Sequence, residues 1–280
     1  MYSLDLLLWM LIVFLLPLNI AAVDCMECPQ TAEDVAEAFR KICTKPVVAI
    51  IYTHNHQDHT GGAKAFMKYA KDRKCDIYAH RLTSEIISKF VSKTGTIAFI
   101  RGARQFGQYL SNKQHINSGI GPCLTFDENT AFDVQLPTIT FDSELVVTIS
   151  GVLLKLIHVP GETDDQICVY LPQKSLLCPA DNIYKAFPNL YAIRGTPTRD
   201  ALEWAHSLDI MKNLMADILV PSHTRPLHGR DTIAETFDAY RDGILFVHDQ
   251  TVRLMNKGYF IDDIVCYIAK RIGYSLWCIV

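Results

Sequence analysis

The chain has 280 residues, of which 49% are hydrophobic. A chain of this length and composition can bury a large core and lies near the upper size of a single domain, so we expect one catalytic domain with an appendage. The formal net charge is only −3, with both signs interspersed, which argues against nucleic acid as a partner. The nine cysteines are irregularly spaced, and we interpret most of them as small core residues.

The first 22 residues allow two interpretations. The apolar run at 6–22 ends in small residues, as a signal peptide does, but the segment before it carries Asp5 and no basic residue. The run is short for a membrane-spanning helix and contains Pro17 and Asn19. Alternatively, part of it, above all residues 19–24, is a strand of the core. A signal peptide predicts a secreted or endomembrane protein, a retained anchor predicts a membrane-attached one, and a core strand predicts an intracellular one.

The first half of the chain alternates helices with short buried strands. Residues 31–42 have Thr31 as a helix cap, acidic residues in the first turn and basic ones in the last, with apolar residues on one stripe. The pattern then predicts a strand at 47–51, a helix at 63–71, a strand at 76–80 and a helix at 83–91. The connection at 94–137 is irregular and contains several glycines, so it is either a binding loop or lid, or a plain connection.

The second half begins with closely spaced apolar runs, which predict a meander of antiparallel strands. These runs are residues 138–141, 145–149, 152–158, 167–171 and 175–178. A helix at 198–214, a strand at 218–221 and a long amphipathic helix at 231–257 follow. Strand–helix units combined with hairpins indicate a layered α/β or α+β fold. We divide the chain into the apolar segment 1–22, a catalytic domain at 23–230 and a helical segment at 231–280.

A cluster of metal-binding residue types follows the predicted strand at 47–51. His54, His56, Asp58 and His59 fall within six positions, and imidazole with carboxylate suits a borderline cation such as zinc. Extended geometry would place His54, His56 and Asp58 on one face while His59 enters the following turn. One short segment can therefore contribute ligands to two adjacent metal ions.

Three more side chains of these types stand just beyond predicted strands. Glu162 lies in Pro-Gly-Glu-Thr, Asp181 in Pro-Ala-Asp-Asn and His223 in Pro-Ser-His-Thr. Because loops at strand ends carry the functional groups of open α/β layers, these three are candidates to complete a metal site. Asp164 and Asp165 are kept as minor alternative ligands. We interpret three further histidines as structural, namely His158, His228 and His248.

The order of these motifs resembles the metallo-β-lactamase superfamily. Its H-x-H-x-D-H motif stands intact as His54, His56, Asp58 and His59. In its later Pro-Gly-His-Thr motif the histidine is replaced by Glu162, as in the alkylsulfatase branch of the superfamily. Asp181 matches the bridging aspartate, and His223 matches the last histidine. The resemblance implies an αββα sandwich followed by the start of a helical region.

The resemblance also implies roles for these residues. One zinc ion is expected on His54, His56 and Glu162, a second on Asp58, His59 and His223, with Asp181 bridging the two. A water between the metals would be acidified to hydroxide near neutral pH and would attack an anionic ester, with Asp58 and Asp181 in the catalytic centre. The predicted function is therefore zinc-dependent hydrolysis of sulfate esters of hydrophobic alcohols through a metal-bound hydroxide.

Substrate contacts are inferred from the same branch. Residues 189–195 resemble the alkylsulfatase segment whose arginine meets the sulfate, which assigns Arg194 and Asn189 to substrate binding. Gln105, Phe106 and Gly107 match an aromatic–glycine segment of similar enzymes. A surface salt bridge is the alternative for Arg194. Residues 198–205 resemble the helix that follows that segment in the branch. Residues 247–258 resemble the start of the dimerisation region, which implies a homodimer through the C-terminal helices.

Two other functions stay open. The full dimerisation region and the C-terminal lipid-carrier-like domain of the branch have no counterpart in these 280 residues. One alternative is another hydrolase of the superfamily, acting on a thioester, a lactam or a phosphodiester. The other is a truncated, non-catalytic association module.

Overall fold

The apolar segments of the N-terminal half build the first of two sheets. The computed structural model describes residues 12–16, 18–71, 73–111, 113–117, 134–184, 186–192 and 194–271. In these ranges the first sheet has the strands β1 (Ile12–Leu15), β2 (Ile20–Val23), β3 (Val47–Ile51), β4 (Asp76–His80) and β5 (Ile139–Phe141), side by side in chain order. β1 and β2 are antiparallel, and β2 to β5 are parallel. The nearly uninterrupted apolar residues of β2 and β3 suit a parallel sheet that is covered on both faces.

The second sheet arises from the predicted meander. Its strands are β6 (Glu144–Ile149), β7 (Val152–His158), β8 (Ile167–Leu171), β9 (Leu176–Cys178), β10 (Ile218–Leu219) and β11 (Leu227–His228). They lie in the order β11-β10-β9-β8-β7-β6, and all neighbours are antiparallel except β9 and β10. The two short strands β10 and β11 extend the meander on the side of β9.

Helices connect and follow the strands in the described ranges. They are α1 (Pro29–Ile42), the single turn α2 (Gln57–Thr60), α3 (Ala63–Met67), α4 (Arg81–Lys89), α5 (Gly95–Gln105), α6 (Ala201–Lys212), α7 (Arg230–Met255) and α8 (Ile261–Arg271). A 3-10 turn at Lys68–Ala70 extends α3, and a π turn at Phe90–Thr94 joins α4 to α5.

Three apolar clusters hold these layers together. The cluster between the sheets includes Val23, Ile51 and Leu156, all fully buried. A second cluster lies between the first sheet and α1, and a third joins the second sheet to Trp204 of α6 and Phe237 of α7. This arrangement is the αββα sandwich that the motifs imply, and the predicted fold class is confirmed.

Three predicted helix starts are wrong. α4 begins at Arg81 rather than at residue 83, and the side chain of its capping residue His80 accepts from the Leu82 N–H. α1 begins at Pro29 rather than at Thr31, because proline is favoured in the first turn of a helix, where its missing N–H costs nothing. α6 begins at Ala201, where the Asp200 carboxylate accepts hydrogen bonds from the backbone N–H groups of Leu202 and Glu203 at 2.9 and 3.1 Å.

The predicted irregular connection at 94–137 contains a helix. α5 (Gly95–Gln105) occupies eleven of its residues, and only Ala103 of this helix is buried. The glycines at 95 and 102 do not interrupt this helix, because each costs a helix only about 1 kcal/mol relative to alanine. Residues 118–133 of the predicted connection lie outside the described ranges.

The N-terminal segment contributes to the first sheet. β2 pairs with both β1 and β3, and Ile20 to Val23 are all buried, so the described part of residues 1–22 follows the core-strand alternative. Residues 1–11 lie outside the described ranges. Among the helices of the described ranges, none is long and apolar enough to cross a membrane. The predicted domain boundaries and the dimer stay predictions.

Candidate metal centre

The histidine motif sits where β3 gives way to a short helix. β3 ends at Ile51, and α2 begins at Gln57 with His56 as its capping residue. The extended geometry therefore stops before Asp58, and the expected common face of His54, His56 and Asp58 is wrong. Instead, His54 and His56 lie side by side, while Asp58 and His59 project from the helical turn into a second group.

The first group combines two histidines with a carboxylate from the second sheet. His54 Nε2 and His56 Nδ1 lie 2.9 Å apart, and Glu162 Oε2 lies 3.4 and 3.3 Å from them. Asp181 also has a ligand atom within 4.8 Å of the others in this group.

The second group is built from the same two sheets. His59 Nε2 lies 3.4 Å from both Asp58 Oδ2 and Asp181 Oδ2. His223 Nε2 lies 3.0 Å from Asp181 Oδ2 and 3.5 Å from Asp58 Oδ2. Asp181 belongs to both groups, which is the position that a bridging ligand needs.

Asp24 orients the histidines of both groups from behind. Its Oδ2 accepts a hydrogen bond from His59 Nδ1 at 2.7 Å and from Thr53 Oγ1 at 2.9 Å, and its Oδ1 accepts from the Thr53 backbone N–H at 2.8 Å. Because the Thr53 hydroxyl donates to Asp24, it is free to accept from His54 Nδ1 at 3.0 Å. Because these hydrogen bonds engage Nδ1 of both histidines, the Nε2 atoms of His54 and His59 are the ones directed into the site.

Two further residues hold Glu162. Asn182 Oδ1 accepts from the Glu162 backbone N–H at 3.0 Å, and Asn182 Nδ2 donates to the carbonyl of Val159 at 2.6 Å. Arg199 Nη2 lies 3.0 Å from Glu162 Oε1, and both side chains are at most 10% exposed. Arg199 also donates to the backbone carbonyl of Asn189, so it connects Glu162 to the segment that carries Arg194.

The charges of the cluster favour a cation between the carboxylates. Burial opposes ionisation of Asp181, but His223 and His59 outweigh it and hold the pKa of Asp181 below its ordinary value. Burial likewise disfavours the His223 imidazolium, yet Asp181 raises the pKa of His223 to about 9. Burial works against Glu162 too, and His56 holds its pKa well below the usual range. Positive charge at this point is therefore stabilised by the protein.

The residues fit a metal ion. Zinc–ligand distances of about 2.0–2.1 Å place neighbouring ligand atoms of a tetrahedral site roughly 3.3 Å apart. The nitrogen–oxygen separations of 3.0–3.5 Å in both groups match that spacing. His59 Nε2, Glu162 Oε2 and Asp181 Oδ1 are buried and have no hydrogen-bond partner among the described residues. Buried polar atoms are normally paired, so three such atoms in one cluster indicate a ligand that completes them.

The predicted substrate contacts are only partly brought together. The Arg194 guanidinium lies over the Phe106 ring at 5.8 Å from its centroid, and burial together with Arg199 lowers the pKa of Arg194. Gln105 ends α5, and its Oε1 is buried without a hydrogen-bond partner among the described residues. Gly107 has a φ of +70°, which glycine adopts without strain. Asn189 is exposed, and its hydrogen bonds to Tyr184 and Arg199 run through its backbone.

The alternative ligand Asp165 and the structural histidine His158 both have structural contacts. Asp165 is fully buried and accepts hydrogen bonds from Asn55 Nδ2 at 2.6 Å and from Thr83 Oγ1 at 2.7 Å. His158 stacks on His80 with ring centroids 3.9 Å apart and an interplanar angle of 6°. Neither belongs to the two ligand groups among the described residues.

Sequence reasoning missed Asp24, Asn182 and Arg199 as parts of the site. Asn182 follows directly after the candidate ligand Asp181, and this position in the sequence could have identified it as part of the site. Asp24 ends a strand in the same way as Glu162 and Asp181 do, but the ambiguity of the N-terminal run obscured that pattern. Arg199 gives no local signal, because only the folded chain places it beside Glu162.

Comparison with known proteins agrees with this geometry. The sequence profile of the metallo-beta-lactamase superfamily matches residues 31–223, and the chain belongs to this superfamily. Within the superfamily, the resemblance to the alkylsulfatase branch is confirmed by its relatives.

Three relatives illustrate the extent of the similarity. A linear primary-alkylsulfatase of Pseudomonas sp. (strain ATCC 19151) is 38% identical over 254 residues, which are 89% of this chain and 48% of that protein. The alkyl/aryl-sulfatase BDS1 of Saccharomyces cerevisiae is 32% identical over 88% of this chain and 39% of its own length. The solved structure of the stereoselective inverting sec-alkylsulfatase Pisa1 from Pseudomonas sp. matches with a TM-score of 0.81 at 26% identity, over 91% of this chain and 41% of that one. The chain thus spans less than half the length of each.

Proposed function

We propose that this chain carries the catalytic unit of a binuclear zinc hydrolase that cleaves sulfate esters of hydrophobic alcohols. The supporting observation is the combination of a carboxylate-containing ligand cluster with Arg194, a partly buried cation that forms no ion pair among the described residues. A guanidinium of this kind is suited to a tetrahedral oxyanion, because its planar fork donates paired hydrogen bonds. The similarity to alkylsulfatases supports the same substrate class.

The roles of the side chains follow from their contacts. His54, His56 and Glu162 would hold one zinc ion, Asp58, His59 and His223 the other, and Asp181 would be shared. When bound, the metal ions would supply positive charge for the anionic ester and lower the pKa of water. Arg194 would grip the sulfate oxygens, and Phe106 would support its guanidinium from the other side.

Arg199 and Asp24 would keep the ligands in place without touching substrate. Arg199 fixes one oxygen of Glu162 and leaves Oε2 directed at His54 and His56. Asp24 fixes the tautomer of His59 directly and that of His54 through Thr53. Partners of this kind commonly change metal affinity about 10- to 100-fold when they are removed.

Metal analysis combined with a panel of substrates tests this function. Purified chain, loaded with zinc, is expected to contain two zinc ions and to release sulfate from dodecyl sulfate. The same preparation is assayed on a thioester, a lactam and a phosphodiester. Turnover of one of these without sulfate release would overturn the proposed substrate class while leaving the metal centre in place.

A His56→Ala variant tests the site itself. Loss of a ligand from the first group is expected to remove about one zinc per chain and to bring turnover to background. His228→Ala is the matched control, because His228 is exposed on β11 and lies outside both ligand groups. Unchanged activity of His56→Ala would refute the assignment of the site.

Association through the C-terminal helices is a second candidate function. Met255, Phe260 and Ile261 are exposed at the junction of α7 and α8, and a homodimer would cover such apolar side chains. Sedimentation of the chain and of a Phe260→Ser, Ile261→Ser variant measures this association. A folded chain that associates but holds less than about one zinc would favour a non-catalytic association module over the hydrolase.

A further inference from the structure

Residues 88–111 and 113–116 form an exposed surface, here called the α5 surface, whose charge differs from that of the rest of the chain. The segment contains five basic residues and no aspartate or glutamate, although the whole chain has a net charge of −3. The basic residues are Lys89, Lys93, Arg101, Arg104 and Lys113, and all of them are exposed. None forms an ion pair within the described ranges, so the interspersed charges expected from the sequence do not extend to this surface.

The same surface exposes large apolar side chains. Ile97, Phe99 and Ile100 of α5 are 48%, 55% and 37% exposed. The others are Phe90, Val91, Tyr109, Leu110 and Ile116. A helix with one buried residue would normally present polar side chains to water, since exposing apolar area costs about 25 cal/mol per Å². The combination of apolar and basic side chains indicates a partner that is apolar and anionic at once.

Helix periodicity places these two kinds of side chain together. Ile97, Ile100, Arg101 and Arg104 are spaced by three and four residues and share one face of α5. Long basic side chains beside aliphatic ones can reach an anionic headgroup layer while the aliphatic groups enter the apolar layer beneath it.

The α5 surface adjoins the substrate side of the metal centre. The Arg101 guanidinium lies against Gly195, whose φ of +82° favours glycine. Phe106, directly after α5, lies under Arg194. A partner on this surface would therefore lie beside Arg194.

We infer that the α5 surface binds the surface of a lipid bilayer that carries anionic headgroups. Basic residues near such a surface each add attraction, and the exposed aliphatic and aromatic side chains add the apolar contact that a purely electrostatic encounter lacks. This charge complementarity favours an anionic bilayer over an uncharged one, and the apolar side chains favour it over nucleic acid. The inference does not depend on the proposed hydrolase, because it concerns binding alone.

Co-sedimentation of the zinc-loaded chain with vesicles measures this binding. The vesicles are phosphatidylcholine alone, or phosphatidylcholine with about one third phosphatidylglycerol, at low and at high salt. Binding is expected for the anionic vesicles only and should weaken as salt rises, because salt screens the basic residues. Equal binding to both vesicles, or none to either, would overturn the inference.

Two paired variants locate the binding surface. Lys89→Glu with Lys93→Glu is expected to weaken binding to the anionic vesicles by at least about tenfold. Ile97→Ser with Ile100→Ser should weaken it as well, and the binding that remains should stay salt-dependent because the basic residues are intact. Lys41→Glu with Ile42→Ser is the matched control, because these exposed residues end α1 and lie outside the α5 surface.

Separate measurements test whether a partner other than a bilayer binds the α5 surface. Sedimentation without vesicles shows whether the Ile97→Ser, Ile100→Ser variant changes the oligomeric state, and such a change would assign the surface to a second copy and overturn the inference. Short duplex DNA is added as a competitor of the anionic vesicles. If the DNA removes the chain from the vesicles, and if it binds the unsubstituted chain more tightly than the variants, the surface is assigned to nucleic acid instead. Hydrolysis of a soluble short-chain sulfate ester should be equal in the Lys89, Lys93 variant and the unsubstituted chain.

Discussion

The ends of the two sheets meet at two polar clusters, and only one of them is incomplete. At the metal centre, buried ligand atoms of His59, Glu162 and Asp181 have no hydrogen-bond partner among the described residues. At the second cluster, Asp165 accepts from Asn55 and Thr83 through separate oxygens.

The histidines of the second cluster also have hydrogen-bond partners. His80 Nε2 donates to the carbonyl of Asp142 at 2.6 Å, its Nδ1 accepts from the Leu82 N–H at 3.3 Å, and His158 Nε2 donates to the carbonyl of Asp164 at 2.8 Å. Residue types alone therefore do not distinguish a ligand site from a structural polar cluster. The two are distinguished by whether their buried polar atoms have hydrogen-bond partners.

The comparison predicts that substitutions in the metal centre act through bound metal. Asp181→Asn removes the ligand shared by both groups, so turnover should fall to background and zinc content should fall below two per chain. The stabilisation that zinc gives the folded chain should be lost as well, and it amounts to about 4 kcal/mol for one site at a thousandfold excess over Kd. Chemical denaturation with and without zinc, together with metal analysis, measures both effects.

An equal zinc-induced gain in the free energy of unfolding for Asp181→Asn and the unsubstituted chain would contradict this distinction. Ser207→Ala serves as a control for general damage near the site. Ser207 is buried in α6 and donates to the carbonyl of Pro160 at 2.6 Å, but it is not a candidate ligand. It should lower stability without changing the gain from zinc.

The second cluster should show the opposite behaviour. Asp165→Ala leaves Asn55 and Thr83 without their acceptor, which should lower the free energy of unfolding by about 3 kcal/mol. The gain in that free energy on adding zinc should be unchanged, because Asp165 is not a ligand. Denaturation of the metal-free and zinc-loaded forms checks this. Asp165→Asn, which keeps one acceptor oxygen, should recover part of the loss, and a loss of bound zinc in either variant would make Asp165 a ligand after all.

The candidate ligands could be predicted from the sequence more fully than the residues that hold them in place. The seven candidate ligands stand in short motifs at strand ends, so spacing and the family resemblance led to them, and the structure brings them together. Their split into two groups could not be derived from strand periodicity, because α2 begins at Gln57 and turns Asp58 away from His54. Arg199 could not be found at all, since its partner Glu162 is 37 positions away and no pattern joins them.

The elements of the fold likewise differ in how well they could be predicted from local sequence. The strands β3, β4, β7 and β8 have the predicted bounds, because apolar runs of this length between turn residues fit few other structures. α5 was missed, because its exposed apolar residues give no stripe facing a core. The same property makes this helix a candidate binding surface.

The smallest predicted effect is a pH dependence in the second cluster. Burial, with a contribution from His158, lowers the pKa of His80 below its ordinary value. The unfolded chain therefore takes up a proton first, so the stability that neutral His80 provides is present above about pH 6.5 and is lost as the pH falls. One group can contribute a slope of at most about 1.4 kcal/mol per pH unit. The free energy of unfolding of a His80→Asn variant should therefore fall less steeply below pH 6.5 than that of the unsubstituted chain.

Denaturation of metal-free protein at a series of pH values measures the contribution of His80 to this pH dependence without an effect of bound metal. His228→Asn is the control, because His228 is exposed and has no ring stacked on it among the described residues. Its pH profile should match that of the unsubstituted chain. If His80→Asn also keeps the full slope, the stacked pair contributes no pH dependence. Zinc content is measured separately on zinc-loaded protein. If it changes in His80→Asn, the two clusters are coupled, and the second cluster is not a purely structural one.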